Sequence, residues 1–384
     1  MDNFGSLLPV PQPAHVPKQS INALRKLRMR TGYLVSWAEV LGRLGSRRLA
    51  RAVLVVAVSL AGRGVAHGQD AYFAQPYATR LHTNPAFTGL LDDYSLTLSY
   101  RNQFPTLAGT FQTSQLAADY RFKDQRSAAG LLLNLDRTGE IGYTRIEVGG
   151  TYAYHTRLTR QLNLSGGAQA SYGNQRISYS NLVFGDQLGA DGSVQGSTRE
   201  TLDFNPVSYL TLGTGVLLYT NQFWFGLAGH HLNQPDLKFR TQAKLPLRLN
   251  VNGGFKHYFV QTTIKKQYRE ISLSPTVSYT SQGGSQRAEA GLYAVLTPLT
   301  LGLIYRGVPL PGADQSQQIV TAIAGVSVGT FRLGYSYDAS LSSLSADLGS
   351  AHEVSLSLRQ FDSLEAAWRR LKRRNYPSIP CPAF

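Results

Sequence analysis

From Tyr94 onward the chain alternates apolar and polar residues with period two, segment after segment. Tyr94, Leu96, Leu98 and Tyr100 alternate with Ser95, Thr97, Ser99 and Arg101. Phe331, Leu333, Tyr335 and Tyr337 alternate with Arg332, Ser336 and Asp338. Such spacing places the two sets of side chains on opposite faces of a strand. A soluble sandwich buries the apolar face, whereas a membrane barrel turns it to lipid and lines its lumen with the polar face. Period alone does not separate the two, so the connections between strands must.

The pattern predicts strands near 94–101, 113–122, 128–136, 143–156, 161–173, 203–219, 222–230, 246–259, 269–280, 286–296, 299–306, 318–328, 330–338 and 351–361. The count is even, as bacterial barrels with both termini in the periplasm require. Connections after even strands are mostly short (Lys123–Ser127, Arg157–Arg160, Thr220-Asn221, Thr297-Pro298, Gly329). Several after odd strands are long (Asn102–Gln112, Asn174–Leu202, His231–Leu245, Gly307–Gln317, Ala339–Ser350). Short turns at one end and long loops at the other are the mark of an all-β, transmembrane antiparallel barrel of about 14 strands. Val260–Tyr268 is longer than this scheme wants and Ser281–Ser285 shorter. Tyr100, Tyr120, Tyr154, Tyr172, Tyr219, Tyr279, Tyr305 and Tyr337 stand at or near strand ends, where interfacial aromatic girdles lie. The pairs Gly149-Gly150, Gly166-Gly167 and Gly253-Gly254 fall inside strands and are read as bend points.

Charge supports export rather than nucleic-acid binding. The net charge is +15, but the first 68 residues carry +8 of it, and no nucleic-acid motif accompanies the rest. Arg47, Arg48 and Arg51 precede the apolar stretch Ala52–Leu60, and Ala66-His67-Gly68 comes just before Gln69. These are the parts of a signal peptide, and the apolar run is too short to span as a helix. Residues 1–46 read as an N-terminal extension or a mis-placed start, with Met29 as the alternative start. The domain reading is therefore extension 1–46, signal 47–68, periplasmic N-terminal segment 69–93, barrel 94–361 and basic tail 362–384.

No chemistry-bearing constellation emerges. Gly213-Thr214-Gly215 sits mid-strand with no helix after it, unlike a dinucleotide loop. Asp186 and Asp191 match no calcium-loop spacing. The His230-His231 pair lacks further ligands, and the lone Cys381 excludes an intramolecular disulfide. Neither cofactor, metal nor catalytic residues are expected. In the tail, Asp362 and Glu365 form a capping-box pattern. Trp368 lies on an apolar helical face, while Arg369, Arg370, Lys372, Arg373 and Arg374 crowd the opposite side. These residues are candidates for contact with anionic lipid or an acidic periplasmic partner.

Several stretches resemble the PorP/SprF family of Bacteroidota outer-membrane proteins. They are Gln69-Asp70, Asn84-Pro85-Ala86-Phe87-Thr88-Gly89, Tyr100-Arg101-Asn102-Gln103-Phe104-Pro105, His231-Leu232-Asn233-Gln234-Pro235 and Cys381-Pro382-Ala383-Phe384. Phe104 stands where the family commonly has Trp. The resemblance implies an outer-membrane barrel of the type IX secretion system that supports secretion and surface anchoring of adhesin-type cargo, in some relatives for gliding motility. It implies contacts with the cargo's C-terminal domain and with periplasmic secretion or peptidoglycan-binding proteins. The competing reading from the residues is a passive or hydrophobic-solute transporter whose lumen is lined by Arg101, Arg248, Lys256 and Arg332.

Overall fold

The computed structural model describes residues 70–90, 93–105, 110–139, 142–178, 183–189, 193–194, 196, 198, 206–237, 244–264, 267–308, 318–341 and 350–359. The extension, the signal segment and the basic tail with its candidate residues lie outside them.

The strands are β1 (Tyr94–Gln103), β2 (Phe111–Arg121), β3 (Ser127–Thr138), β4 (Tyr143–Arg157), β5 (Asn163–Ile177), β6 (Val207–Tyr219), β7 (Phe223–His230) and β8 (Arg248–Phe255). They continue as β9 (His257–Ile264), β10 (Gln267–Gln282), β11 (Ser285–Leu296), β12 (Leu299–Arg306), β13 (Ile319–Val328), β14 (Phe331–Ser340) and β15 (Ala351–Arg359). Every pairing is antiparallel, and β1 bonds to both β2 and β15, so the sheet closes on itself. β8 and β9 pair in succession along β10 and make one wall strand, interrupted at Lys256, which gives a closed barrel of 14 strands.

Each strand of the sequence reading is present, with one correction. The residues assigned to a long connection after Phe259 continue the wall as the rest of β9, and β10 starts at Gln267. The break has a local cause. Lys256 turns inward, and its ammonium meets the Glu270 carboxylate at 2.6 Å. Beyond it Phe259, Val260, Gln261 and Thr262 are all exposed, so apolar and polar residues no longer alternate and the period carries no strand signal.

The two faces settle the kind of barrel. In β1, Ser95, Thr97, Ser99 and Arg101 are buried, while Leu96, Leu98 and Tyr100 are exposed. The same inversion recurs at Leu131 (65% exposed), Val148 (50%) and Leu303 (56%). A continuous apolar exterior around a polar interior is stable against lipid and unstable in water. Tyr100, Tyr120, Tyr154, Tyr172 and Tyr337 point outward, as girdle residues do. Tyr219 does not. The register of β6 turns it into the lumen, where it packs with Phe87, Leu90, Leu217 and Trp224.

Candidate functional site: a lumen filled by residues 70–90

Sequence reading places 69–93 in the periplasm ahead of the barrel; the structure instead folds Asp70–Leu90 into the lumen. Phe73, Ala74, Gln75, Tyr77, Arg80, Leu81, Asn84, Ala86, Phe87 and Leu90 are all buried there. The segment holds one helical turn, α1 (Arg80–Thr83), and a 3-10 turn (Pro85–Phe87). Three sets of contacts hold it.

At the long-loop end, Asp70 is the hub. Its carboxylate meets Arg145 of β4 at 2.8 Å, His231 after β7 at 2.6 Å and Arg248 of β8 at 2.9 Å. Its backbone N–H donates to Gln282 of β10 at 3.0 Å. Burial alone would raise the Asp70 carboxyl, but His231, Arg145 and Arg248 together hold it well below the usual range. An isolated buried carboxylate costs several kcal/mol, so these partners are what allow it there. Next to it, Arg248 donates to the His82 ring and to the His82 carbonyl at 2.9 and 2.8 Å. Burial and that guanidinium push the His82 imidazole down to about 3, so it is neutral.

On one flank, the backbone N–H groups of Ala74 and Gln75 donate to Glu353 of β15 at 2.6 and 3.1 Å. The Gln75 amide donates to Ser336 and to the Glu353 carbonyl. Glu353 and Asp338 are both held by Arg101, at 3.4 and 2.6 Å. Arg101, from the family-like stretch, therefore braces the wall residue that anchors the segment. Asn102 is half-buried near the strand end, and Pro105 is exposed beyond it.

Toward the short-turn end, Arg80 meets Asp119 at 2.7 Å and Ser95 at 2.5 Å, and Ser95 also donates to Asp119. The Gly89 N–H donates to Asp119, and the Gly89 carbonyl accepts from Arg121 at 2.6 Å. Gly89 has φ +68°, and a Cβ there would lie 2.4 Å from that of Ala128, so the position needs glycine. Between these ends sits Asn84. Its Oδ1 caps the 3-10 turn by accepting from the Ala86 N–H at 2.8 Å. Its Nδ2 donates to the carbonyls of Val216 and Leu227, partners across β6 and β7, at 3.1 and 3.3 Å. Pro85 opens the turn, where a missing N–H costs nothing.

The glycine pairs have a more specific use than bending. Gly167 faces Pro85 and Ala86, whose backbone atoms a Cβ would meet at 2.4 Å, whereas Gly166 faces open space. Gly254 makes room for the Trp224 ring and Gly149 for Ser171. His230 and His231 are buried in the wall of this site: His230 Nε2 lies 3.2 Å from the Thr83 carbonyl, and His231 touches Thr211 and Asp70. After His231 (φ +57°) the chain leaves the sheet. Asn233 then bonds the β6 edge, accepting from Leu212 N–H and donating to the Leu210 carbonyl. The Gln234 N–H returns to the His231 carbonyl, and Pro235 accepts from Leu245.

Of the cations expected to line a solute path, Arg101, Arg248 and Lys256 are buried in ion pairs, and Arg332 is half-buried on β14. Asp70, Gln75, Arg80 and Glu353 carry the site; of these the sequence marked only Asp70, and that through the resemblance. Their one signal there is that carboxylates and arginines recur at inward strand positions (Asp119, Arg145, Glu147, Arg248, Asp338, Glu353), more charge than a wetted lining needs.

A family model described as "Type IX secretion system membrane protein PorP/SprF" matches residues 65–358. No curated protein matches the chain. Among solved structures, the P. putida toluene transporter TodX is similar at 11% identity and TM-score 0.43, covering 79% of this chain and 100% of that one. A Pseudomonas aeruginosa FadL homologue is similar at 12% identity and TM-score 0.40, covering 71% and 91%. The KdgM porin is similar at 7% identity and TM-score 0.32, covering 70% and 99%. With its closed, lipid-facing barrel and a family match over most of its length, the chain belongs to the PorP/SprF family of type IX secretion system membrane proteins.

Proposed function

We propose that the chain acts in the outer membrane as a binding and anchoring barrel of the type IX secretion pathway, supporting secretion of adhesin-type cargo and its retention at the cell surface. The observation that carries this reading is the filled lumen. A barrel whose interior is occupied by its own chain, tied by buried ion pairs at Asp70 and Arg80 and by hydrogen bonds to Glu353, offers its rims and loops rather than an aqueous path. The long-loop end, with Asn174–Leu202 and His231–Leu245, faces outward and meets the C-terminal domain of the cargo. The short-turn end and the basic tail (Trp368, Arg369, Arg370, Lys372, Arg373, Arg374) meet periplasmic secretion or peptidoglycan-binding proteins and lipid headgroups. In relatives used for gliding, the same anchoring would carry the motility adhesin. Passive transport of hydrophobic solutes is the alternative, and it requires residues 70–90 to move.

The test is deletion of the gene followed by fractionation and mass spectrometry of secreted and surface-bound proteins. Loss of one or a few large adhesins from the surface is the expected result. An unchanged surface proteome with reduced solute uptake would overturn the anchoring role in favour of transport.

A further inference from the structure

Residues 70–90 do not fill the lumen evenly. A cavity of about 130 Å³ remains between them and the wall formed by β8, β10, β11 and β12. Its lining departs from the rest of the interior. Where most inward strand positions are Ser, Thr or charged, Trp224, Tyr293 and Ile304 face this space, opposite Tyr72, Phe73 and Tyr77 of the inserted segment. Tyr77 and Tyr293 meet edge to face, with ring centroids 6.0 Å apart. A space of this order accepts a single aromatic ring where its walls are apolar; here the aromatic side chains share the lining with Asn250, Asn252, Thr276 and Ser278.

One end of the cavity is charged. Arg287 lines it with its guanidinium 4.4 Å over the Tyr72 ring. Two neighbouring cations are neutralised directly, Arg248 by Asp70 at 2.9 Å and Arg306 by Glu289 at 2.9 Å. Glu289 is thereby committed to Arg306 and to Ser278. Among the described residues, no hydrogen bond or ion pair holds the Arg287 guanidinium. Arg287 shares the charge of Glu289 with Arg306, which takes its hydrogen bond, so the Arg287 fork keeps donors that match a ligand carboxylate.

We propose that this cavity is a binding site for a small aromatic carboxylate, a single ring on a short acid arm. The ring packs among Tyr77, Trp224 and Tyr293, and the carboxylate reaches Arg287 beside Tyr72, whose ring carries the guanidinium groups of Arg287 and Arg306. A neutral ring of the same size would fill the apolar part and add no charge-assisted contact to the guanidinium. The site is independent of the anchoring role, since it draws on the inside of the barrel and not on its loops.

The test uses the full chain in lipid nanodiscs, with phenylacetate as probe and tryptophan fluorescence as readout. Saturable quenching is expected, and Trp224→Phe should remove it. Arg287→Gln should weaken phenylacetate binding by about tenfold or more, the loss of one charge-assisted contact, and should leave benzyl alcohol binding unchanged. Ser278→Phe, which fills the cavity from β10, should abolish binding of both. Folding of each variant is checked by its heat-dependent mobility on a denaturing gel. Absence of saturable phenylacetate binding in the folded wild-type chain would overturn the proposal. So would equal affinity for benzyl alcohol with no effect of Arg287→Gln.

Discussion

Gly166 and Gly167 are chain neighbours on β5 with opposite surroundings. A methyl group on Gly166 meets nothing, whereas one on Gly167 strikes the Pro85 and Ala86 backbone at 2.4 Å. Gly167→Ala should therefore displace the inserted segment while Gly166→Ala leaves it seated. Hydrogen exchange at amides of 70–90 checks this, and equal protection in the two variants would contradict it. Protonation acts on the same contacts. In the seated state His82 stays neutral, its imidazole pushed down to about 3, whereas a released His82 titrates near the ordinary value of about 6.5. Below that pH the released state takes up a proton that the seated one does not, so seating weakens by about tenfold per pH unit. Asp70 adds to this only lower down. Its carboxyl is held well below the usual range, so its contribution is complete above about pH 4 and lost as pH falls through the depressed value. Corrected for intrinsic rates, protection of 70–90 should fall by about fivefold from about pH 6.5 to about 5.5, the interval that starts at the midpoint; no change would count against the His82–Arg248 contact.

At the scale of elements, the wall was legible and its filling was not. Lipid outside and polar groups inside impose a strict two-residue period, and residues such as Leu96, Leu98 and Tyr100 therefore announce β1. β9 escaped because His257–Ile264 runs on where Phe259 to Thr262 are exposed without alternation. The inserted segment escaped for another reason. Its one helical turn and one 3-10 turn are too short for periodicity, and its partners lie far away in sequence, as with Gln75 and Glu353, 278 positions apart. The Asn84-Pro85-Ala86-Phe87 stretch stood out only through resemblance, and its physical meaning appears once Asn84 is seen bridging β6 and β7. Asn84→Ala removes the cap and two hydrogen bonds to wall carbonyls, which should cost about 1–3 kcal/mol of seating while the barrel stays closed. Denaturant-dependent exchange of 70–90 against wall amides would show it; a parallel loss across the wall would mean that Asn84 holds the barrel and not the segment.

For the whole molecule, the main revision concerns where the chain enters. The sequence reading has both termini on the short-turn side. In the structure the last described residues, at the end of β15, lie on that side, but Asp70 is tied to Arg145, His231 and Arg248 beside the long loops. The described chain thus starts at the long-loop mouth, folds back on itself inside the lumen and reaches the opposite rim before β1. A barrel threaded in this way is closed by its own chain, as the proposed anchoring role requires. The most direct measurement is single-channel conductance of the purified full chain in planar bilayers, alongside Gly167→Ala and Gly166→Ala. A closed or only briefly flickering wild type and Gly166→Ala, with sustained openings in Gly167→Ala, is the result predicted. A stable, open pore in the wild-type chain would contradict the account.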